Sequence, residues 1–288
     1  MSSEIQISES SGTLYIVATP IGNLDDLSSR AIAVLSGVSL VAAEDTRHSG
    51  RMLQALGVDT RMLALHDHNE RDRTGQVMQR LEEGQDVALI SDAGTPLISD
   101  PGFILVREAR ARGIRVSPVP GPCAIVAALC AAGLPTDRFA FEGFLPSKKG
   151  ARVAVLEKLA SETATLVFYE SPHRILEATA DIAEVMGANR ELVIARELTK
   201  TFETFYSGGA AEILETLKAD PHGSRGEFVV MIRGAEKDAG DAGMEETDRL
   251  LKLLLAELPV KKAAKLVAEM TGRAKNELYQ RALSLKED

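Results

Sequence analysis

Short apolar runs rich in β-branched residues alternate along the chain with longer segments in which apolar residues recur every three or four positions. The short runs predict β-strands and the longer segments predict amphipathic helices. The first strands are expected at residues 14–18, 38–43, 87–91 and 114–119. Strands that alternate with helices are typical of a parallel α/β sheet. Residues 13–120 are therefore predicted to form an N-terminal α/β subdomain.

The pattern changes after Gly121. A helix through Cys130 is followed by predicted strands near residues 139–144, 165–169, 192–197, 202–207 and 227–233. The third and fourth of these strands have no helix between them, which indicates a mixed sheet. Residues 121–234 are therefore predicted to form a second α/β subdomain. The small, polar, glycine-rich residues 234–243 predict a linker after it.

Residues 244–288 show helical spacing throughout, with a turn at Thr271-Gly272 as in a helix-turn-helix. Residues 249–286 contain nine Lys or Arg against three Asp or Glu, a local charge of +6 on a chain whose net charge is -9. An acidic chain opposes broad, nonspecific binding of nucleic acid, so a polyanion must be held by a local basic patch. We expect these residues to form a helical RNA-binding domain.

The composition indicates a globular protein of 288 residues, with 45% hydrophobic and 26% charged residues. Its two cysteines, Cys123 and Cys130, match neither a disulfide framework nor a zinc site, which favours a reducing compartment. The segment before Gly12 lacks the basic start and apolar stretch of a secretory signal. The apolar run at 124–134 is too short to cross a bilayer. We expect a cytoplasmic protein with no membrane partner.

Two loops that follow predicted strands indicate a ligand site. ATPIGNLDDLS (18–28) turns tightly at Pro20 and Gly22, and LISDAGTPLISDPG (89–102) offers main-chain groups without bulky side chains. In open α/β sheets, ligands bind beyond the carboxyl ends of the strands. Asp92 and Asp100 could face a cationic ligand or a ribose hydroxyl. The phosphate-binding patterns G-x-G-x-x-G and GK[ST] are absent, which argues against NAD and ATP. Ordinary turn chemistry is the alternative.

Several blocks carry a resemblance to a known family: TPIGNLDD, AAEDTRHS, ALHDHNE, SDAGTPLISDPG, PVPGPCA, EGFLPSKKG, FYESPHR, ARELTKTFE and GEFVVMI. Together they resemble the tetrapyrrole methylase superfamily, the class III S-adenosylmethionine (SAM)-dependent methyltransferases. AEDTRH, HDHNE and YESPHR separate the chain from the corrin and sirohaem enzymes. They are similar to the branch that methylates the ribose 2′-hydroxyl of a cytidine in the decoding region of 16S ribosomal RNA.

The resemblance implies two α/β subdomains with SAM in the cleft between them, held mostly by backbone groups. It also implies a homodimer, and 16S ribosomal RNA, within the small ribosomal subunit, as the partner. The positions that match the family's cofactor contacts are Pro20, Ile21, Asp92, Ala93, Gly94, Thr95, Pro96, Ser99, Cys123, Ala124, Phe168, Tyr169, Ala195, Arg196, Glu227 and Phe228. For Tyr169, the sequence by itself is equally consistent with a core position.

Polar side chains that follow predicted strands are candidates for catalysis and substrate binding. Glu44, Asp45 or His66 could accept the hydroxyl proton, although the sequence does not single out one base. Arg47 could hold a phosphate and His68 could contact substrate. Glu44-Asp45 could instead cap a helix. The run from His66 to Glu70 resembles a metal site in composition, but a loop network is the favoured alternative and no metal is predicted.

Two groups of basic residues are expected to contact RNA. Lys148 and Lys149 lie in the loop PSKKGAR, and Lys261, Lys262 and Lys265 lie in the helical tail. Solvated surface charge is the alternative for both groups. The function that the resemblance implies is SAM-dependent 2′-O-methylation of ribosomal RNA. The competing hypotheses are a tetrapyrrole methylase, whose small substrate would not require a helical RNA-binding appendage, and an RNA-binding assembly factor without catalysis.

Overall fold

The computed structural model describes residues 11–236 and 239–287, apart from the side chains of 239–246 and 287. Residues 1–10, for which no secretory signal is predicted, lie outside these ranges. Residues 237 and 238 of the predicted linker also lie outside them. The chain divides into two compact units, Met1–Arg233 and Gly234–Asp288. None of the described helices combines the length and apolar character needed to cross a bilayer.

The first sheet has five strands in the order β3-β2-β4-β1-β5, and every neighbouring pair is parallel. Its strands are β1 (Thr13–Val17), β2 (Leu40–Ala43), β3 (Met62–Ala64), β4 (Val87–Ile90) and β5 (Arg115–Val119). The intervening helices are α1 (Ser29–Gly37), α2 (Thr46–Ala55), α3 (Glu70–Glu82) and α4 (Phe103–Ala111). All residues of β2 and β4 are buried, because helices pack against both faces of the sheet.

The second sheet also has five strands, in the order β6-β7-β10-β8-β9. It is mixed, as predicted: β6 and β7 are parallel, and the other neighbours are antiparallel. The strands are β6 (Phe139–Phe144), β7 (Thr165–Glu170), β8 (Glu191–Arg196), β9 (Thr204–Gly209) and β10 (Phe228–Ile232). The helices are α5 (Ala124–Ala132), α6 (Lys149–Leu159), α7 (Ile175–Met186) and α8 (Ala210–Ala219).

The C-terminal unit contains three described helices: α9 (Ala239–Leu255), α10 (Val260–Thr271) and α11 (Lys275–Glu287). Its small core includes Leu251, Ala264 and Val267. Gly272 ends α10 with a φ of 70°, a left-handed conformation that glycine adopts without strain. This turn between α10 and α11 is the one predicted from Thr271-Gly272.

The structure corrects several predicted boundaries. Residues 239–243 belong to α9, so the prediction of a linker there was wrong. The predicted strand 202–207 begins only at Thr204, because Phe202 lies in the preceding turn. The strand β3 was not predicted, since it has three residues and all are only partly buried. The other predicted strands shift by two residues or fewer.

Candidate functional site

A cavity of about 470 Å³ lies between the loops of the two sheets. This volume falls within the range of roughly 300–1,000 Å³ that is usual for small-molecule and cofactor sites. One side is formed by Ile21, Glu44 and the loop 92–100, which follow strands of the first sheet. The other side is formed by the first residues of α5 and by loops of the second sheet. The cavity therefore lies beyond the carboxyl ends of β1, β2 and β4.

The glycine-rich loop after β4 is fixed by main-chain hydrogen bonds to the loop after β1. Thr19 N donates to Gly94 O at 2.8 Å, and Gly94 N donates to Thr19 O at 3.0 Å. Gly94 has a φ of 80°, and a Cβ placed there would touch Ile21 at 3.4 Å. Leu97 and Ser99 also have positive φ, at 73° and 66°. Non-glycine residues rarely adopt this conformation, and such strain is concentrated at ligand sites.

Five carboxylate residues contribute to the lining: Glu44, Asp92, Asp100, Glu170 and Glu227. Among the described residues, no Lys or Arg does so. Glu170 is paired with Arg174 at 2.8 Å and Glu227 with Lys200 at 2.9 Å. Asp92 Oδ1 accepts a hydrogen bond from Asp45 N at 3.0 Å. The cavity is therefore negatively charged, which suits a cationic ligand and opposes a phosphate.

The pKa values of three of these carboxyl groups, Glu44, Asp100 and Glu170, are raised, chiefly by burial. Burial raises the pKa of Glu44, and the charges of Asp92, Asp100 and Asp67 raise it further. Burial also raises the pKa of Asp100, an effect that a hydrogen bond with Ser91 partly opposes. A carboxylate with a raised pKa is a stronger base than an ordinary one. Glu44 thus combines a place in the cavity with the acid-base property that proton abstraction needs.

Most of the predicted cofactor residues lie together in the lining: Ile21, Asp92, Ala93, Gly94, Thr95, Ser99, Cys123, Ala124, Tyr169, Glu227 and Phe228. Five others lie outside it: Pro20, Pro96, Phe168, Ala195 and Arg196. Phe168 and Ala195 are buried in the cores on opposite faces of the second sheet. The guanidinium of Arg196 donates to Arg225 O and to the Tyr206 hydroxyl.

Of the residues predicted for catalysis, only Glu44 lines the cavity. Asp45 caps α2, accepting from Arg47 N at 2.8 Å, and it also pairs with the Arg47 guanidinium at 3.2 Å. This hydrogen bonding holds the pKa of Asp45 below its usual value. Arg47 is 86% exposed. Asp45 therefore occupies the helix-capping role that the sequence left open as an alternative.

The loop after β3 is held by its own side chains. Asn69 accepts from His66 N at 2.9 Å and donates to Ala64 O, and the rings of His66 and His68 meet edge to face. The buried Glu70 accepts hydrogen bonds from Ile104 N and Leu105 N at 2.8 and 3.1 Å. Glu70 thereby caps α4, whose own N-cap residue is a glycine. Within the described ranges, no three His, Cys, Asp or Glu residues are arranged to hold a metal ion.

The predicted basic residues differ in their surroundings. Lys149 pairs with Asp181 at 3.4 Å and Glu184 at 3.3 Å, whereas Lys148 is exposed at the N-cap of α6. Lys261, Lys262 and Lys265, called the α10 lysines below, are exposed. They lie on the side of α10 away from its buried residues, so they are accessible to a polyanion.

Asp100, which the sequence predicted could face a cationic ligand, lies in the lining. The sequence did not single out several other lining residues as site residues: Ile98, Phe144, Glu170, Ser171, Pro172, Leu198 and Val229. Phe144 and Leu198 lie in the EGFLPSKKG and ARELTKTFE blocks, but their place in the cavity depends on how the second sheet is placed against the first.

Solved structures show a similar fold. Uroporphyrin-III-C-methyltransferase from Thermus thermophilus has a TM-score of 0.54 and 22% identity, over 77% of this chain and 94% of that one. The methyltransferase CobJ has a TM-score of 0.57 and 19% identity, over 78% and 95%. The chain therefore has the α/β fold of these two proteins, which confirms the predicted fold class.

The sequence comparisons identify the family. Residues 13–214 match the Tetrapyrrole (Corrin/Porphyrin) Methylases, and the chain belongs to this family. Residues 241–286 match the RsmI C-terminal HTH domain. Ribosomal RNA small subunit methyltransferase I of Pseudomonas aeruginosa is 58% identical over 275 residues, 95% of this chain and 98% of the relative. The protein of that name from Escherichia coli O157:H7 is 52% identical, over 95% and 96%. The resemblance drawn from the motifs is confirmed.

The residues of the cavity fit the cofactor of this family. Family members use SAM, which carries a positive sulfonium and an ammonium group. In the part of the chain that the structure describes, carboxylates line the cavity and no basic side chain does. Gly94 leaves main-chain atoms open to a ligand, while Phe228 and Val229 add apolar surface. SAM would therefore be held by the loop 92–95 on one side and by β10 and Tyr169 on the other.

Proposed function

We propose that this protein is a SAM-dependent methyltransferase that methylates the ribose 2′-hydroxyl of a cytidine in the decoding region of 16S ribosomal RNA. The observation that carries the proposal is the division of charge in the chain. The cavity is acidic and suits a cationic methyl donor, whereas Lys148 and the α10 lysines are exposed and lie outside its lining. The curated relatives named ribosomal RNA small subunit methyltransferase I support the choice of RNA as substrate.

SAM supplies an electrophilic methyl group when it is bound. The protein must then align the ribose oxygen with that group and accept one proton. Glu44 is the residue that we assign as proton acceptor, because it lines the cavity and its pKa is raised by burial and by neighbouring carboxylates. Asp92 positions it indirectly by accepting the hydrogen bond of Asp45 N, which fixes the backbone after β2.

Substrate binding is assigned to the basic residues. The α10 lysines contact phosphates of the RNA, and Lys148 does so beside the cavity. Arg47 and His68 are exposed after β2 and β3 and remain in the proposed substrate surface. A tetrapyrrole substrate gives no role to the exposed α10 lysines, so RNA is the better assignment. We further propose that the enzyme acts as a homodimer in the cytoplasm, on RNA within the small ribosomal subunit.

The proposal is tested by incubating the protein with isotopically labelled SAM and small ribosomal subunits that lack their own modification. Mass spectrometry of the digested RNA then locates the labelled nucleotide. We expect one labelled cytidine in the decoding region, with the label on its ribose. Label on a base, on ribosomal protein or nowhere would contradict the proposal. Free 16S RNA tested in parallel shows whether the assembled subunit is required.

A further inference from the structure

Phe144, at the end of β6, combines exposure with a place in the lining of the cavity. It is 54% exposed, whereas the lining residue Phe228 opposite the loops of the first sheet is buried. An exposed aromatic residue alone requires no functional explanation. Its position at the rim of the cofactor cavity makes it a candidate for contact with whatever enters from solvent.

The backbone of β6 is arranged so that Phe144 reaches this position. The pairing of β6 with β7 is irregular between Phe141 and Phe144, and Gly143 between them has a φ of 71°. In a regular strand, residues 141 and 144 would point to opposite faces of the sheet. A bulge redirects a side chain in this way, and bulges are frequent next to active sites. Here both rings meet Tyr169.

The three rings form a small aromatic group. The centroids of Phe141 and Tyr169 are 4.9 Å apart, and those of Phe144 and Tyr169 are 5.6 Å apart, with interplanar angles of 63° and 59°. These are tilted, edge-directed contacts of the kind that aromatic pairs favour. Tyr169 therefore supports Phe144 at an edge, and this leaves much of the Phe144 ring open to solvent.

The loop after Phe144 is held by two arginines from the same unit. Arg174 donates to Leu145 O at 3.2 Å, and Arg152 donates to Pro146 O at 3.3 Å and Ser147 O at 3.2 Å. The loop leads directly to the exposed Lys148. An aromatic ring at the cavity rim and an ammonium group four residues later are thus presented on a fixed backbone.

We propose that Phe144 is a stacking platform for an unpaired nucleobase of the RNA substrate, with Lys148 contacting an adjacent phosphate. The inference rests on the proposed function, which brings RNA to this cavity, and extends it to base recognition. Proteins that bind single-stranded RNA combine aromatic rings that stack on bases with nearby cations that contact the backbone. A base held on Phe144 places its nucleotide at the rim of the cavity that accommodates SAM.

The test compares substitutions of Phe144 with one at Phe139, which is also exposed (47%) and lies at the other end of β6, outside the cavity lining. Binding of unmodified small subunits is measured by filter binding without SAM, and SAM binding is measured by calorimetry without RNA. Loss of one base stack corresponds to roughly a 5- to 150-fold loss of affinity. We expect a loss of this size in RNA binding for Phe144→Ala, a smaller loss in SAM binding because Phe144 also lines the cavity, and no change in either measurement for Phe139→Ala.

Two further variants identify the ring as the cause. Phe144→Trp should recover most of the RNA affinity, whereas Phe144→Leu, which keeps apolar volume without a π-face, should remain close to Phe144→Ala. The inference is overturned if Phe144→Ala weakens SAM binding as much as RNA binding, leaves RNA binding unchanged, or alters the oligomeric state measured by light scattering. Wild-type protein that binds subunits but transfers no methyl group would refute the proposed function and leave this inference standing.

Discussion

Replacing Arg152 by Met would remove the guanidinium that joins α6, α7 and the loop before α6. Arg152 is 1% exposed, and its Nε donates to Asp181 Oδ2 at 2.7 Å. It also pairs with Glu177 at 3.3 Å and donates to the carbonyls of Pro146 and Ser147. The substitution keeps most of the side-chain volume. Its effect therefore reports the loss of charge and hydrogen bonds rather than the opening of a cavity.

The expected loss of stability depends on the contacts that Asp181 and the two carbonyl groups keep after the substitution. Asp181 stays buried and keeps only Lys149, at 3.4 Å, as a basic partner, and the two carbonyl groups lose a donor. Breaking one side of a buried ion pair costs about 3–5 kcal/mol. Because Lys149 still neutralises part of the charge of Asp181, we expect the free energy of unfolding to fall by about 3 kcal/mol, near the lower end of this range. For a unit of this size that lowers Tm by roughly 6–12 °C.

The assay is urea unfolding at neutral pH, followed by circular dichroism, together with thermal unfolding. Arg138→Met is the matched control, since Arg138 is 63% exposed and lies 3.8 Å from Glu162, a surface pair worth about 0–1 kcal/mol. Adding Asp181→Asn to Arg152→Met should recover part of the loss by removing the uncompensated charge. The reasoning is refuted if Arg152→Met costs no more than the control, or if the second substitution makes the protein still less stable.

Four other predictions follow from the site and the helical unit. Gly94→Ala forces an alanine into a left-handed conformation, so it should cost about 1–2 kcal/mol of stability and weaken SAM binding in calorimetry. The control, Gly75→Ala inside α3, should instead stabilise the protein by about 0.5–1 kcal/mol. The methylation rate should fall as pH drops through the raised pKa of Glu44, and Glu44→Gln should abolish that limb and slow methylation by about 10²–10⁴-fold; an unchanged profile would contradict its role. Hydrogen bonds from Arg281 hold the pKa of Asp248 below its ordinary value. The contact between α9 and α11 should therefore be fully stabilising above the ordinary pKa of Asp248 and should weaken as pH falls through its lower, folded pKa. Hydrogen exchange should show this pH dependence in the wild type and not in Asp248→Asn. Reversing the charge of the α10 lysines should weaken RNA binding with SAM affinity intact, and equal RNA affinity across a salt series would exclude the contact.

The alternation of strands and helices could be predicted from the sequence because most strands are buried and their apolar runs are continuous. The strand β3 escaped prediction, since Met62–Ala64 offers three partly buried residues and no alternation to detect. The start of α9 was mistaken for a linker because residues 239–243 are small and contain two glycines. Local composition therefore did not reveal that α9 begins at Ala239.

The main-chain half of the cavity could also be predicted, because glycine-rich loops after parallel strands form ligand sites by a general rule. The long-range side-chain contacts that fix the surrounding loops could not be predicted. Glu70 caps a helix 34 residues later, and Arg152 binds Asp181 29 residues away. Neither pairing leaves a local pattern. The bulge that turns Phe144 toward Tyr169 is likewise a property of strand pairing, visible only once β6 lies beside β7.

The central claim is that the acidic cavity between the two sheets holds the methyl donor largely on main-chain atoms. A crystal structure of the protein grown with SAM tests it most directly. We expect density for the whole cofactor between the loop 92–95 and the residues Tyr169 and Phe228, with the sulfonium facing Glu44. Density at another place on the protein, or a cavity closed by side chains in the presence of saturating SAM, would contradict the account.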